Sequence, residues 1–258
     1  MQPINIHPIT AFKDNYIWII VNKQKRCALI VDPGEAAPVQ AYLKQHHLDL
    51  HGIFITHHHG DHVYGVVDLI NDHPVPVFGC IRSPYPHLTH RVDEGDSIFI
   101  SHHFPTYQVL AIPGHTLDHI AYYAQNALFC GDTLFAAGCG RVFEGTMEQL
   151  YTSLQKIAAL PEQTNIYCGH EYTLQNLHFA QHIEPTNPDI QQRIKQVTQI
   201  RQENQPSLPS LLMEEKKTNP FLRCENPDVI EQASRHAACS LKQPTDVFAA
   251  LRTWKNEF

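Results

Sequence analysis

Six consecutive residues early in the chain include five side chains of types that bind metal ions, and four of these form a recognisable pattern. The pattern H-x-H-x-D-H, formed by His57, His59, Asp61 and His62, follows the apolar run Gly52–Ile55. Alternate side chains of an extended segment point the same way, so the first two histidines can bind one ion, and the last two residues can reach a second. Imidazole suits zinc and iron, and a carboxylate balances charge. A solvent-exposed histidine-rich loop is the competing interpretation, which this density of ligands after a buried strand disfavours.

Three further residues of ligand type follow apolar runs, each directly after a glycine. They are His115 after Val109–Gly114, Asp132 after Leu128–Gly131, and His170 after Ile166–Gly169. Glycine allows the backbone to turn sharply at the end of a strand. One such residue alone would more often be a cap or a turn residue, but the same order in three places indicates a shared role.

These seven residues divide into two sets of three and one shared carboxylate. The first set is His57, His59 and His115, and the second is Asp61, His62 and His170. Asp132 has two carboxylate oxygens and is able to bridge two ions. Structural zinc sites usually have four ligands and are often rich in cysteine, whereas three ligands and a bridge leave room for water. The set therefore predicts a two-metal hydrolytic site with ions ~3.5–4 Å apart.

The composition excludes several classes of protein. The net charge is −7 and the chain has no basic run, which disfavours a nucleic-acid binder or a binder of anionic membranes. No apolar stretch approaches the ~20 residues that span a bilayer, and the N-terminus lacks the features of a secretory signal. Seven scattered cysteines form no C-x-x-C pair, which favours the reduced cytoplasm over a disulfide framework. Sixteen of the 19 histidines lie in residues 1–170.

The periodicity of apolar residues predicts two regions. Residues 1–170 alternate short strands with a few helices, as in a mixed α/β domain, and residues 171–258 predict a small helical domain. The predicted strands are Ile17–Val21, Ala28–Val31, Gly52–Thr56, Val75–Phe78, Ser97–Ile100, Tyr107–Ile112, Ala121–Tyr123, Ala127–Cys130 and Asn165–Cys168. The predicted helices are Ala36–His46, Gly65–Ile70, Met147–Ala159, Leu174–Ile183, Asp189–Asn204, Pro227–Ala238 and Thr245–Lys255.

The chain resembles the metallo-β-lactamase superfamily and, more narrowly, its hydroxyacylglutathione hydrolase (glyoxalase II) branch. H-x-H-x-D-H alone specifies the superfamily, and further motifs along nearly the whole chain specify the branch. These motifs are Phe12–Tyr16, Val31–Gly34, Pro113–Thr116, Cys130–Phe135, Gly138–Arg141, Cys168–Thr173, Asn219–Arg223 and Leu251–Phe258. The Pro-Gly-His-Thr match favours His115 over His119 as a ligand.

The resemblance implies an αββα sandwich with a C-terminal α-helical domain. It implies two divalent metal ions per chain, with zinc preferred over iron or manganese, and hydrolysis of S-D-lactoylglutathione to D-lactate and glutathione in methylglyoxal detoxification. The glutathione-binding residues of the family match Arg141, Tyr172, Arg252 and Lys255. The chain departs from the family at two positions, since Arg141 stands where many members have lysine and Phe143 where some have tyrosine.

The expected mechanism is attack of a hydroxide held between the two metals on the thioester carbonyl, with Asp61 as a ligand that also orients the hydroxide. Asp32 is expected to accept a hydrogen bond beneath the site, and His58 to face away from the metals. Two alternatives stay open, a mono-iron persulfide dioxygenase of the same superfamily and a non-enzymatic metal-binding module. We expect a cytoplasmic monomer with a small-molecule substrate.

Overall fold

The computed structural model describes residues 4–258, which form two compact units. The first unit comprises the chain up to Ala111 together with Asp118–Gly131. The second comprises Ile112–Leu117 and Asp132–Phe258. Candidate metal ligands occur in both units, so the supporting structure of each group is described within its own unit.

The first unit contains a six-stranded sheet, four strands of a second sheet and three helices. The first sheet has the order β1-β2-β3-β4-β5-β6, formed by Asn5–Ala11, Asn15–Asn22, Cys27–Val31, Asp49–Phe54, Val77–Cys80 and His90–Val92. Its first three strands are antiparallel, and β3 to β6 are parallel. Strands β7 to β10 are antiparallel neighbours formed by Ser97–Ile98, Tyr107–Ala111, Ile120–Ala124 and Ala127–Gly131. The helices are α1 (Ala36–His46), α2 (Gly60–Val63) and α3 (Val66–Asp72).

Apolar residues bury both faces of the first sheet. Val39 of α1 and Leu69 of α3 pack on one face in a core that includes Ile19 and Ile53. On the other face, the Phe54 ring stacks on Tyr122 of β9, with ring centroids 4.5 Å apart. The first unit therefore has a helix layer and two sheet layers, as expected for strands with near-continuous apolar runs.

The second unit is mainly helical. Its short strands are β11 (Leu134–Phe135), β12 (Gly138–Cys139), β13 (Asn165–Cys168) and β14 (Ser210–Leu211), which form the antiparallel pairs β11–β12 and β13–β14. Its helices are α4 (Met147–Ala158), α5 (Thr173–Ile183), α6 (Pro188–Gln202), α7 (Leu212–Thr218), α8 (Pro227–His236) and α9 (Pro244–Glu257), with a 3₁₀ turn at Pro220–Leu222. Helix α4 begins with a capping box between Thr146 and Gln149.

The structure confirms the mixed α/β character and the helical C-terminal region. It also adds several short elements that the sequence pattern does not predict, among them β1 and α7. Strand β1 contains His7, Pro8 and Thr10 and is half buried at a sheet edge, so it lacks a clear apolar alternation. Helix α7 has seven residues, most of them charged or polar, and is too short to show a helical period. Among residues 4–258, no helix combines the length and apolar character needed to cross a bilayer.

Candidate metal centre and substrate cavity

Four candidate ligands of the first unit lie where parallel strand β4 leads into helix α2. His57 and His59 follow the end of the strand, and Asp61 and His62 lie in the single turn of α2. The ring of His57 has its centroid 4.7 Å from the centroid of His59 and 4.2 Å from that of His62. His57 and His62 are buried, whereas 40% of the Asp61 side chain is exposed. The structure thus brings together the four residues of the H-x-H-x-D-H pattern.

The carboxylate of Asp32 fixes the orientation of two of these histidines. Asp32 Oδ2 accepts hydrogen bonds from His62 Nδ1 at 3.0 Å and from the Thr56 hydroxyl at 2.7 Å. Since that hydroxyl donates its proton to Asp32, it accepts from His57 Nδ1, which lies 3.1 Å away. Both rings therefore carry their proton on Nδ1, which leaves the Nε2 lone pair for a metal ion. The expected role of Asp32 beneath the site agrees with these contacts.

Asp61 is held by a residue that the sequence argument did not single out. Asn15 Nδ2 donates to Asp61 Oδ2 at 2.9 Å, and His62 Nε2 lies 3.5 Å from the same oxygen. The backbone passes closely here, because a Cβ atom at Gly34 would lie 1.9 Å from the Asp61 carbonyl oxygen. The motif Phe12–Tyr16 therefore supplies the donor that holds the Asp61 carboxylate, and the motif Val31–Gly34 supplies the glycine that leaves room for the Asp61 backbone.

The two other histidines of this region have different surroundings. His58 Nδ1 lies 2.9 Å from Asp118 Oδ1, which agrees with the expectation that His58 faces away from the metals. His119 is buried, and its ring stacks on that of His57 with centroids 4.5 Å apart. Its Nδ1 lies 3.2 Å from the carbonyl oxygen of Ile120.

In the second unit, Asp132 lies between the two remaining candidate histidines. Asp132 Oδ2 is 3.2 Å from His170 Nε2 and 3.6 Å from His115 Nε2. His115 Nδ1 donates to the carbonyl oxygen of Arg141 at 2.8 Å, so its Nε2 carries the lone pair that faces the carboxylate. One carboxylate within reach of one histidine from each predicted set is the arrangement that a bridging ligand requires.

The donor groups of both units fit divalent transition metals. The histidines with a fixed ring proton offer Nε2, and the aspartates offer carboxylate oxygens, which are the donors that zinc, iron and manganese accept. In the first unit, single donor atoms of Asp32, His57 and His62 lie within 4.8 Å of one another. Asp32 accepts hydrogen bonds from His62 Nδ1 and from the Thr56 hydroxyl, so it orients a ligand instead of replacing one.

All four predicted substrate-binding residues line one cavity of about 370 Å³ in the second unit. Arg141, Tyr172, Arg252 and Lys255 share this cavity with the metal-ligand candidates His115 and Asp132. A larger cavity of about 910 Å³ in the first unit is lined by residues such as Phe99, and none of the candidate metal ligands lines it. The smaller cavity therefore contains both candidate metal ligands and predicted substrate-binding residues in its wall.

Two of the cationic residues in the cavity differ in their contacts. Burial, with the nearby charges of Arg252 and Arg141 adding to it, lowers the pKa of Lys255 to about 8. The Arg252 guanidinium is buried and donates from Nη1 to the Cys139 carbonyl at 2.7 Å and from Nη2 to Asn256 at 3.2 Å. Lys255 thus retains a charge that responds to pH, whereas Arg252 is bound to the backbone of the cavity wall.

Aromatic residues and a thiol complete this cavity. The Tyr172 ring stacks on His170 with centroids 4.8 Å apart, and Phe143 contacts His115 edge-on at 5.2 Å. Phe143 is 63% exposed, so its ring presents an apolar surface beside His115. Burial raises the pKa of the Cys139 thiol, which makes this cysteine a poor nucleophile.

Comparisons with known proteins agree with the motifs. Residues 12–170 match the metallo-beta-lactamase superfamily, and residues 171–258 match the family described as hydroxyacylglutathione hydrolase C-terminus. The chain is 50% identical over 255 residues to a protein named hydroxyacylglutathione hydrolase from Nitrosomonas eutropha, covering 99% of each chain. It is also 50% identical over 256 residues to a Vibrio cholerae protein of the same name, covering 99% of this chain and all of the relative.

Solved structures support the fold. ETHE1 from Myxococcus xanthus aligns with a TM-score of 0.66 at 24% identity and covers 98% of both chains. The BLEG-1 B3 metallo-beta-lactamase aligns with a TM-score of 0.64 at 23% identity, covering 85% of this chain and 99% of that one. These likenesses confirm the predicted α/β fold class, a metallo-β-lactamase fold followed by a helical C-terminal region.

Proposed function

Because the chain belongs to the hydroxyacylglutathione hydrolase family of the metallo-β-lactamase superfamily, we propose that it hydrolyses S-D-lactoylglutathione to D-lactate and glutathione. This reaction is the second step of methylglyoxal detoxification. The observation that carries the proposal is the match to curated relatives over the full length, with about half of the residues identical. The cationic cavity beside His115 and Asp132 supports it independently.

We propose that two divalent ions, zinc in preference to iron or manganese, bind to seven residues. His57, His59 and His115 would hold the first ion, Asp61, His62 and His170 would hold the second, and Asp132 would serve both. The ring protons fixed on Nδ1 and the position of Asp132 between two Nε2 atoms support this assignment. When bound, such ions lower the pKa of water and polarise a carbonyl oxygen.

Residues of the chain itself orient the reacting groups. Asp61 accepts a hydrogen bond from the attacking water, and Asn15 keeps the carboxylate in position through its bond to Asp61 Oδ2. The leaving group is a thiolate, whose conjugate thiol has a pKa of ~8.5, so protonation by a strong general acid is less necessary than for an amide. No side chain is therefore assigned to that role.

The cavity of the second unit binds the glutathione part of the substrate in this proposal. Its volume of about 370 Å³ lies within the ~300–1,000 Å³ of small-molecule sites. Arg141 and Lys255 provide positive charge for the carboxylates of glutathione, and Tyr172 provides a hydroxyl. Arg252 shapes the wall of the cavity through its bond to the Cys139 carbonyl.

The seven free cysteines, six of them buried, support the reduced cytoplasm as the compartment of this enzyme. A monomeric state is part of the same proposal.

A direct assay separates this function from its alternatives. Metal-loaded protein is given S-D-lactoylglutathione, and the loss of thioester absorbance is followed beside a chelator-treated sample. We expect thioester loss only in the loaded sample. Oxygen consumption with glutathione persulfide and no thioester loss would identify the dioxygenase instead. If metal-bound protein shows neither thioester loss nor oxygen consumption, a non-enzymatic metal-binding module would be supported.

A further inference from the structure

The segment between Asp132 and Arg141 is fastened by side chains from four separate places in the helical region. It contains the β11–β12 hairpin, whose strands are two residues each, so their own pairing gives few hydrogen bonds. Within it, Ala137 has a positive φ of 54°, which is unfavourable for a residue other than glycine. A hairpin of this kind depends on external contacts for a single conformation.

Glu215 of α7 holds the tip of this hairpin. Its Oε2 atom accepts from the backbone N–H of Ala137 at 2.7 Å, and its Oε1 atom accepts from Arg193 Nη2 at 2.5 Å. Glu215 is completely buried and Arg193 nearly so. The Thr218 hydroxyl accepts from Arg193 Nη1, which keeps the guanidinium in place. A buried carboxylate therefore stabilises the strained Ala137 backbone.

Two asparagines hold the hairpin on either side of that tip. Asn219 Nδ2 donates to the carbonyl oxygens of Gly138 at 2.9 Å and Phe135 at 3.2 Å, and it also contacts Glu215 Oε2 at 3.1 Å. Asn176 Nδ2 of α5 donates to the Ala136 carbonyl at 3.1 Å. Together with Arg252 on Cys139, these side chains bind five consecutive residues of the hairpin, 135 to 139.

The two ends of the segment reach candidate metal ligands. Asp132 precedes it directly, and the Gly140 N–H donates to the Thr133 carbonyl at 3.2 Å, which closes the segment at its base. A Cβ atom at Gly140 would lie 1.9 Å from the Asp132 carbonyl oxygen. At the other end, the Arg141 carbonyl accepts from His115 Nδ1. A displacement of the hairpin would therefore move Asp132 and the acceptor of His115 together.

We infer that Glu215, Asn219 and Asn176 are positioning residues for metal binding, acting through this hairpin on Asp132 and His115. The inference rests on the proposed function only for the identity of the reaction. The helical region then sets the geometry of Asp132 and His115 in addition to forming part of a substrate cavity.

The competing explanation is that these residues only stabilise the helical region. Glu184 provides a matched control, because it is also a buried glutamate that pairs with an arginine and an asparagine. It accepts from Arg223 at 2.8 and 2.9 Å and from Asn187 at 3.3 Å, and neither of these donors belongs to the hairpin. Glu215→Gln and Glu184→Gln each place an amide N–H₂ against an arginine, so both should lower the melting temperature.

The experiment compares both variants by two measurements that need no substrate. Amide hydrogen exchange reports the order of residues 133–141 in metal-loaded protein, and chelator competition reports zinc affinity. We expect Glu215→Gln to accelerate exchange in this segment and to weaken zinc binding roughly tenfold, the lower end for residues that orient ligands. We expect Glu184→Gln to leave the hydrogen exchange of this segment and the zinc affinity unchanged, although it should lower the melting temperature by a similar amount.

Asn176→Ala serves as the second variant, because it removes a single bond to Ala136 and keeps the buried ion pair. It should produce a smaller change in the same direction in both measurements. Unchanged exchange and zinc affinity in Glu215→Gln or Asn176→Ala would overturn the inference, as would equal effects from Glu184→Gln. If the unsubstituted protein does not cleave the thioester, the thioesterase proposal is contradicted. The positioning role stays supported in that case, provided that the variants change hydrogen exchange and zinc affinity as expected.

Discussion

At the scale of single residues, the protonation of three histidines is set by the groups behind them. Thr56 accepts from His57, Asp32 accepts from His62, and in the second unit the Arg141 carbonyl accepts from His115. Each bond directs Nε2 away from the acceptor, which makes that nitrogen the donor to a metal. The supporting groups therefore contribute to metal affinity, and the loss of such a group typically costs ~10–100-fold.

The position of Asp132 leads to the first prediction. Asp132→Ala removes the carboxylate that lies near both His115 and His170, so we expect metal content and hydrolysis to fall to background. His58→Ala removes a partner of buried Asp118, so it should cost about 1–3 kcal/mol of unfolding free energy and retain both metals. Elemental analysis and thermal denaturation of the two variants test this. Comparable losses of metal would contradict the ligand assignment.

The lowered pKa of Lys255 predicts a pH dependence of substrate binding. The ammonium loses its proton as the pH rises through about 8 in the free protein, well below the pH at which an ordinary lysine does so. An anionic substrate is attracted by the protonated form, so KM for the glutathione thioester should rise above that pH. Lys255→Arg keeps its charge throughout and should show no such rise. The check is KM against pH for both proteins, and an identical rise in the arginine variant would contradict the role of Lys255.

At the scale of elements, helix α9 carries two cationic residues one turn apart with different tasks. Arg252 is 4% exposed and donates to the backbone of Cys139, whereas Lys255 lines the same cavity with its ammonium 5.2 Å from the ring centroid of Phe179. The sequence alone predicts the same behaviour for both residues. The contacts of Arg252 indicate that it also holds the hairpin that follows Asp132.

Substitution of the two residues should therefore have different kinetic effects. Lys255→Ala removes a charge-assisted contact worth ~1.5–3 kcal/mol, so KM should rise roughly ten- to a hundredfold with kcat little changed. A small thioester without the peptide should be cleaved as before. Arg252→Ala leaves the Cys139 carbonyl without this donor and should impair cleavage of both substrates. Steady-state kinetics on the two substrates measure the difference, and damage to both from Lys255→Ala would argue against a glutathione contact.

The sequence predicts elements and ligands better than it predicts their support. Strand β10 is an apolar run that ends in glycine directly before Asp132, and β4 has an apolar end three residues before His57, so both the element and the candidate ligand can be recognised from one short segment. Asn219 and Glu215 lie about 80 residues from the hairpin atoms that they bind, and no local periodicity links such distant positions. Asn15 lies 46 residues from Asp61, so no local periodicity predicts that contact either.

At the scale of the whole molecule, two regions of sequence carry one proposed reaction. The region that matches the metallo-beta-lactamase superfamily contains all seven candidate metal ligands, and the region that matches the hydroxyacylglutathione hydrolase C-terminus contains Tyr172, Arg252 and Lys255. The positioning residues Asn176, Glu215 and Asn219 also belong to the second region. A metal centre and a recognition cavity are the two parts that the proposed reaction needs, and the two regions supply the candidate residues for them.

The central claim is that a pair of metal ions in one chain hydrolyses a glutathione thioester. The most direct measurement is a titration of metal-free protein with zinc, with the rate of S-D-lactoylglutathione hydrolysis recorded at each addition. We predict that the rate rises until about two equivalents are bound, because seven ligands with a bridging carboxylate serve two ions. A full rate at one tightly bound equivalent, or no hydrolysis at any metal content, would contradict the account.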